Sequence, residues 1–87
     1  MSYTVKLLRP AQKTLDRLTG DTYRRMMAKL LTLEQEPRPH GIEKLAGEGN
    51  LYRIRTGDWR IIYQIIDREL LVLVLKIGNR RDVYREL

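Results

Sequence analysis

The chain has 87 residues, with 17 Lys+Arg against 11 Asp+Glu, a formal charge of +6, a single histidine and no cysteine. That length suits one domain, spanning 1–87, with a thin stability margin, and so basic a surplus favours a polyanionic partner such as nucleic acid or an acidic protein segment. The missing cysteines exclude disulfides, thiolate catalysis and cysteine-bound metal, and His40, alone between Pro39 and Gly41, brings no second ligand or catalytic partner.

The opening "MSYTVKLLRP" has no signal-peptide apolar region, and no apolar run reaches the length of a membrane span, so the expectation is a soluble cytoplasmic protein. Residues 3–8, β-branched at Thr4 and Val5, read as a short strand stopped by Pro10, which suits the first turn of a helix. Ala11, Leu15 and Leu18 then form one apolar helical stripe. Gly20 is expected to stop that helix and Asp21 to cap a second one, with Tyr23, Met27, Leu30 and Leu31 turned inward. "EPRPHG" ends it, because two prolines so close together cannot continue a helix. So short a turn between the helices makes them an antiparallel pair, and neither is long enough to stand without packing on something else.

A sheet from the second half supplies that support. Gly57-Asp58 is a two-residue hairpin turn joining strands at Leu51–Thr56 and Trp59–Ile66, and Asp67-Arg68-Glu69 turns into a third strand over residues 70–77, which Gly78 is expected to break. The fold expected is a small α+β domain, β-α-α-β-β-β, with a helical hairpin on one face of a mainly antiparallel, twisted sheet. There is no repeat, linker or low-complexity segment.

The turn fixes which residues share a face. Arg55 faces Arg60, Ile54 faces Ile61, and Arg53 faces Ile62, so Arg53, Arg55 and Arg60 lie together while Tyr52, Ile54, Ile61 and Tyr63 turn to the helices. A one-residue slip would exchange the two sets, so the pattern itself specifies the register. The arginine face suits either a solvated charged surface or an anion site. Ile62 and Ile66 on the same side favour a shallow cleft, where screening falls and clustered guanidinium groups repel unless an anion or carboxylate is present. Guanidinium suits phosphate because its planar fork donates paired hydrogen bonds and stays charged. Beyond Gly78 follow Arg80, Arg81 and Tyr84; the tyrosine is either a packed terminal aromatic or a member of the same site.

The order "KLAGEGNLYRIRTGDWRIIYQI" and then "LVLVLKIGNRRDVYREL", behind two helices on a basic chain, resembles the RelE family of the RelE/ParE toxin superfamily. The likeness spans nearly the whole chain, most specifically residues 44–84. It implies a type II toxin that enters the ribosomal A site and cleaves mRNA there, held inactive by a cognate antitoxin in a complex expected to be a higher-order oligomer. Residue by residue, it implies catalytic roles for Arg53, Arg55, Arg60, Arg80 and Tyr84, and RNA contacts for Lys44 and Arg81. The implied reaction is attack of a ribose 2′-hydroxyl on the adjacent phosphate, giving a 2′,3′-cyclic phosphate and a 5′-hydroxyl, with no metal or cofactor.

Two departures bear on that chemistry. The best-known family members carry lysine where Arg53 and Arg55 stand, and arginine does not give up its proton. Many relatives also have histidine where this chain has Asn79, which is neither acid nor base. The general base is thus unassigned; Glu48 is either that base or a solvated loop carboxylate. Two other functions share these features: a ParE-like, non-enzymatic inhibitor of DNA gyrase, and a basic domain that only binds RNA or its antitoxin.

Overall fold

The computed structural model describes residues 2–45 and 49–79. In chain order these form β1 (Thr4–Leu7), α1 (Arg9–Arg17), α2 (Gly20–Gln35), β2 (Glu43–Lys44), β3 (Leu51–Thr56), β4 (Trp59–Ile66), one 3-10 turn (Asp67–Glu69) and β5 (Leu71–Asn79). The strands make one sheet in the order β1-β5-β4-β3-β2. All neighbours run antiparallel except β1, which lies parallel to β5 with Thr4 opposite Leu71 and Leu7 opposite Val74. Both helices pack on one face of the sheet, as expected for this α+β domain.

The helix-side layer is filled by Ala11 and Leu15 of α1, Met26, Leu30 and Leu33 of α2, and alternate residues of β3, β4 and β5. Alternation on β5 contains an irregularity. Ile62 of β4 pairs with Lys76 but Tyr63 pairs with Val74, so Leu75 is an extra residue on β5. This bulge lets Val72, Val74 and Ile77, which differ in parity, all enter the buried layer.

Four expectations are corrected. The buried stripe of α2 is Met26, Leu30 and Leu33, while Tyr23 and Leu31 are 40% and 54% exposed and Met27 is half-buried. Apolar residues cover more of this helix than one stripe, so periodicity allows two rows, and the crossing onto the sheet selects between them. Secondly, α2 begins at Gly20 with Thr19 in the N-cap position, and Asp21 lies in the first turn, paired with Arg24. Gly20, at φ +58°, takes the left-handed conformation that reverses the chain between the helices. Thirdly, Gly78 does not end β5, which continues through Asn79 because both residues find partners on β4, Arg60 and Trp59. The fourth correction is β2, an unanticipated two-residue edge strand whose charged sequence resembles no strand taken alone.

A polar clamp holds the segment leading into β2. Arg38 donates two hydrogen bonds to Asp67, at 3.1 and 2.8 Å, and lies over the Tyr52 ring, 5.5 Å from its centroid. Tyr3 donates to the same carboxylate at 2.7 Å. Tyr52 stacks on Tyr63, whose hydroxyl donates to the Pro37 carbonyl at 2.8 Å.

Candidate functional site

The β3–β4 hairpin has the expected register throughout: Thr56 opposite Trp59, Arg55 opposite Arg60, Ile54 opposite Ile61, Arg53 opposite Ile62. Its turn works because Gly57 takes φ +62°, a conformation that other residues enter at a cost. With Tyr52 and Ile54 committed to the core, Arg53 and Arg55 must emerge on the far face, and Arg60 joins them from β4. The three arginines line one cleft of about 240 Å³ together with Gly41 and Glu43.

Glu43 is the residue that sequence reading missed. It stands opposite Arg53 on β2, and its carboxylate accepts a hydrogen bond from the Arg53 guanidinium. That bond and the Arg53 charge hold its carboxyl below the usual carboxylate range, with Arg60 and Arg55 adding to the effect. The signal available beforehand was only a carboxylate in a basic chain, since nothing local announces β2.

Arg55 is exposed and Arg60 half-buried; among the described residues neither pairs with a carboxylate, and Arg60 makes a long 3.4 Å contact to the Trp59 carbonyl. Opposite Arg60 on β5 stands Gly78, so no third side chain crowds this row. Ile62 is wholly buried yet lies outside the helix-side cluster, which agrees with a partly apolar arginine face. Lys44 is exposed and pairs with Tyr52, one residue out of phase with Glu43, so it does not enter the cleft. Arg80, Arg81, Tyr84 and Glu48 lie outside the described residues.

Two further surfaces stand apart. Arg9, Lys13 and Arg17, one turn apart along α1, line a groove of about 350 Å³ with Lys76. Between β1, α1 and α2 lies an apolar groove of about 310 Å³ whose lining includes Val5, Leu7, Leu15, Tyr23, Met27 and Leu31. No described helix is long and apolar enough to cross a membrane.

Residues 5–84 match the family described as the ParE toxin of the type II toxin–antitoxin system, parDE. The mRNA interferase toxin RelE of Escherichia coli K12 is 30% identical over 90 residues, covering 99% of this chain and 94% of that protein. In the archaeal RelE–RelB complex from Pyrococcus horikoshii OT3, a chain 36% identical superimposes with a TM-score of 0.82, covering 93% of this chain and 98% of its own. The isolated E. coli RelE toxin superimposes at 0.80 with 27% identity, over 98% of this chain and 94% of that one. With the family match spanning residues 5–84, the sequence likeness running almost end to end and the backbone superimposing on RelE chains, the chain belongs to the RelE family of the RelE/ParE superfamily of type II toxin–antitoxin toxins.

Proposed function

We propose that this protein is a ribosome-dependent endoribonuclease that cleaves mRNA in the A site and thereby stops translation. The observation carrying this reading is the convergence of Arg53, Arg55 and Arg60 on one cleft in which Arg55 and Arg60 have no carboxylate partner among the described residues. Such a cleft is a receptor for a phosphate, and its charges act most strongly where negative charge grows during in-line attack by the 2′-hydroxyl. The name of the E. coli relative, an mRNA interferase, supports the same reaction class.

In this mechanism Arg55 and Arg60 bind and polarise the scissile phosphate, and Arg53 borders it. Arg80 adds a further guanidinium and Tyr84 orients the nucleophile or stacks on a base, both as the family resemblance implies. The reaction uses no metal or cofactor, and Lys44 and Arg81 serve as outlying RNA contacts. Primer extension on translating ribosomes tests the proposal. Wild type should produce discrete cuts, and Arg60→Ala should lose them by about 10²–10³-fold, the size of removing one preorganised charge donor. Uncut message with wild type ends this reading.

The ParE description of the matched family keeps gyrase inhibition as a second reading. A supercoiling assay with purified gyrase separates the two, since a ribosome-directed nuclease leaves gyrase active at saturating protein. The RelE–RelB complex among the similar structures supports a cognate antitoxin as partner; a complex of higher order and a cytoplasmic location are part of the proposal, as the family resemblance implies. The apolar groove between β1, α1 and α2 suits an amphipathic segment of it, and the positive net charge suits an acidic one. Affinity for the co-expressed antitoxin should fall as salt rises; a salt-independent affinity contradicts the electrostatic part.

A further inference from the structure

We propose that Glu43 is the general base of the cleavage reaction, an inference that rests on the nuclease reading above. Arginine cannot take the 2′ proton at neutral pH, so Arg53 and Arg55 leave this role empty. Among the described residues lining the arginine cleft, Glu43 is the one with a group that can accept a proton. Its side chain is exposed, yet its place opposite Arg53 sends it to the same face as the arginines of the cleft. The Arg38–Asp67 clamp and the Tyr63–Pro37 hydrogen bond anchor the segment that leads into β2, which sets where Glu43 stands.

Substrate binding itself makes Glu43 a better base. In the free protein three guanidinium groups favour its ionised form. A phosphate on Arg55 and Arg60 places negative charge beside it and neutralises part of theirs, so its proton affinity rises as RNA arrives. In the chemical step a Glu43 carboxylate oxygen takes the 2′-hydroxyl proton while the 2′-oxygen bonds to phosphorus. The bond from phosphorus to the 5′-oxygen breaks, and that oxygen takes a proton from water. The hydroxide so formed removes the proton from Glu43, restoring the carboxylate and the water. Arg53 keeps the carboxylate aimed until the phosphate competes for the neighbouring arginines.

The test is single-turnover cleavage of message on programmed ribosomes across pH, with wild type, Glu43→Gln and Glu43→Asp. Glutamine retains an oxygen for Arg53 but cannot take the proton. Its rate should fall by about 10²–10⁴-fold at saturating protein, with ribosome affinity unchanged. The wild-type rate should rise with pH along an acid limb that Glu43→Asp keeps and Glu43→Gln lacks. Glu43→Gln cutting as fast as wild type, losing affinity as much as rate, or keeping the acid limb, each overturns the assignment while leaving the nuclease reading intact. An inactive wild type removes both.

Discussion

Arg38 and Asp67 show how single side chains hold the site in place from outside it. The carboxyl of Asp67 is held down to about 2, first by its hydrogen bonds from Arg38 and then by that from Tyr3. An unfolded aspartate titrates near 3.9, so below that pH the unfolded chain binds the extra proton and stability falls as pH drops toward 2. Urea titrations at stepped pH should record this acid limb, and Asp67→Asn should flatten it. Tyr63 is tied down differently, with burial pushing its hydroxyl well above the usual tyrosine range. Tyr63→Phe leaves the Pro37 carbonyl without its donor and should cost about 1–3 kcal/mol in chemical denaturation. Neither residue touches the cleft, yet both fix the segment that carries Glu43, so ribosome-dependent cleavage should weaken with the clamp.

At the scale of elements, the hairpin and α2 make opposite cases. The pairing of Arg55 with Arg60 was legible because turn chemistry and alternation are local, and both point to one register. The row of α2 that is buried was not legible, because Met26–Leu33 and Tyr23–Leu31 are both periodic and the sheet beneath decides. Alanine at Leu33 should therefore cost about 2–5 kcal/mol, and alanine at exposed Leu31 within about 0.5 kcal/mol. The bulge at Leu75 and strand β2 were hidden for a related reason: each exists only through a partner distant in sequence. Glu43 consequently read as one carboxylate among many. Gly57→Ala forces a side chain into the left-handed region and should destabilise the hairpin by about 1–2 kcal/mol, measured by thermal unfolding.

At the scale of the molecule, basic side chains among the described residues line two separate surfaces, the arginine cleft and the α1 row of Arg9, Lys13 and Arg17 with Lys76. Like charges one turn apart weaken an isolated helix, so the α1 row is better explained by an outside polyanion than by stability. Changing Arg9, Lys13 and Arg17 to glutamine should lower ribosome affinity and flatten its dependence on salt, by roughly 0.7–0.9 in log–log slope for each phosphate no longer neutralised, while the cleavage step on bound ribosomes keeps its rate. The parallel pairing of β1 with β5 reaches further still. The first strand made, Thr4–Leu7, can find its neighbour only after Leu71–Val74 has emerged from the peptide exit tunnel. Until then β1 has no sheet partner, and β4 lacks the strand on one side of it. A nascent chain thus carries its arginine hairpin before its sheet is complete, and the last described strand to be made is the one that joins both halves of the fold.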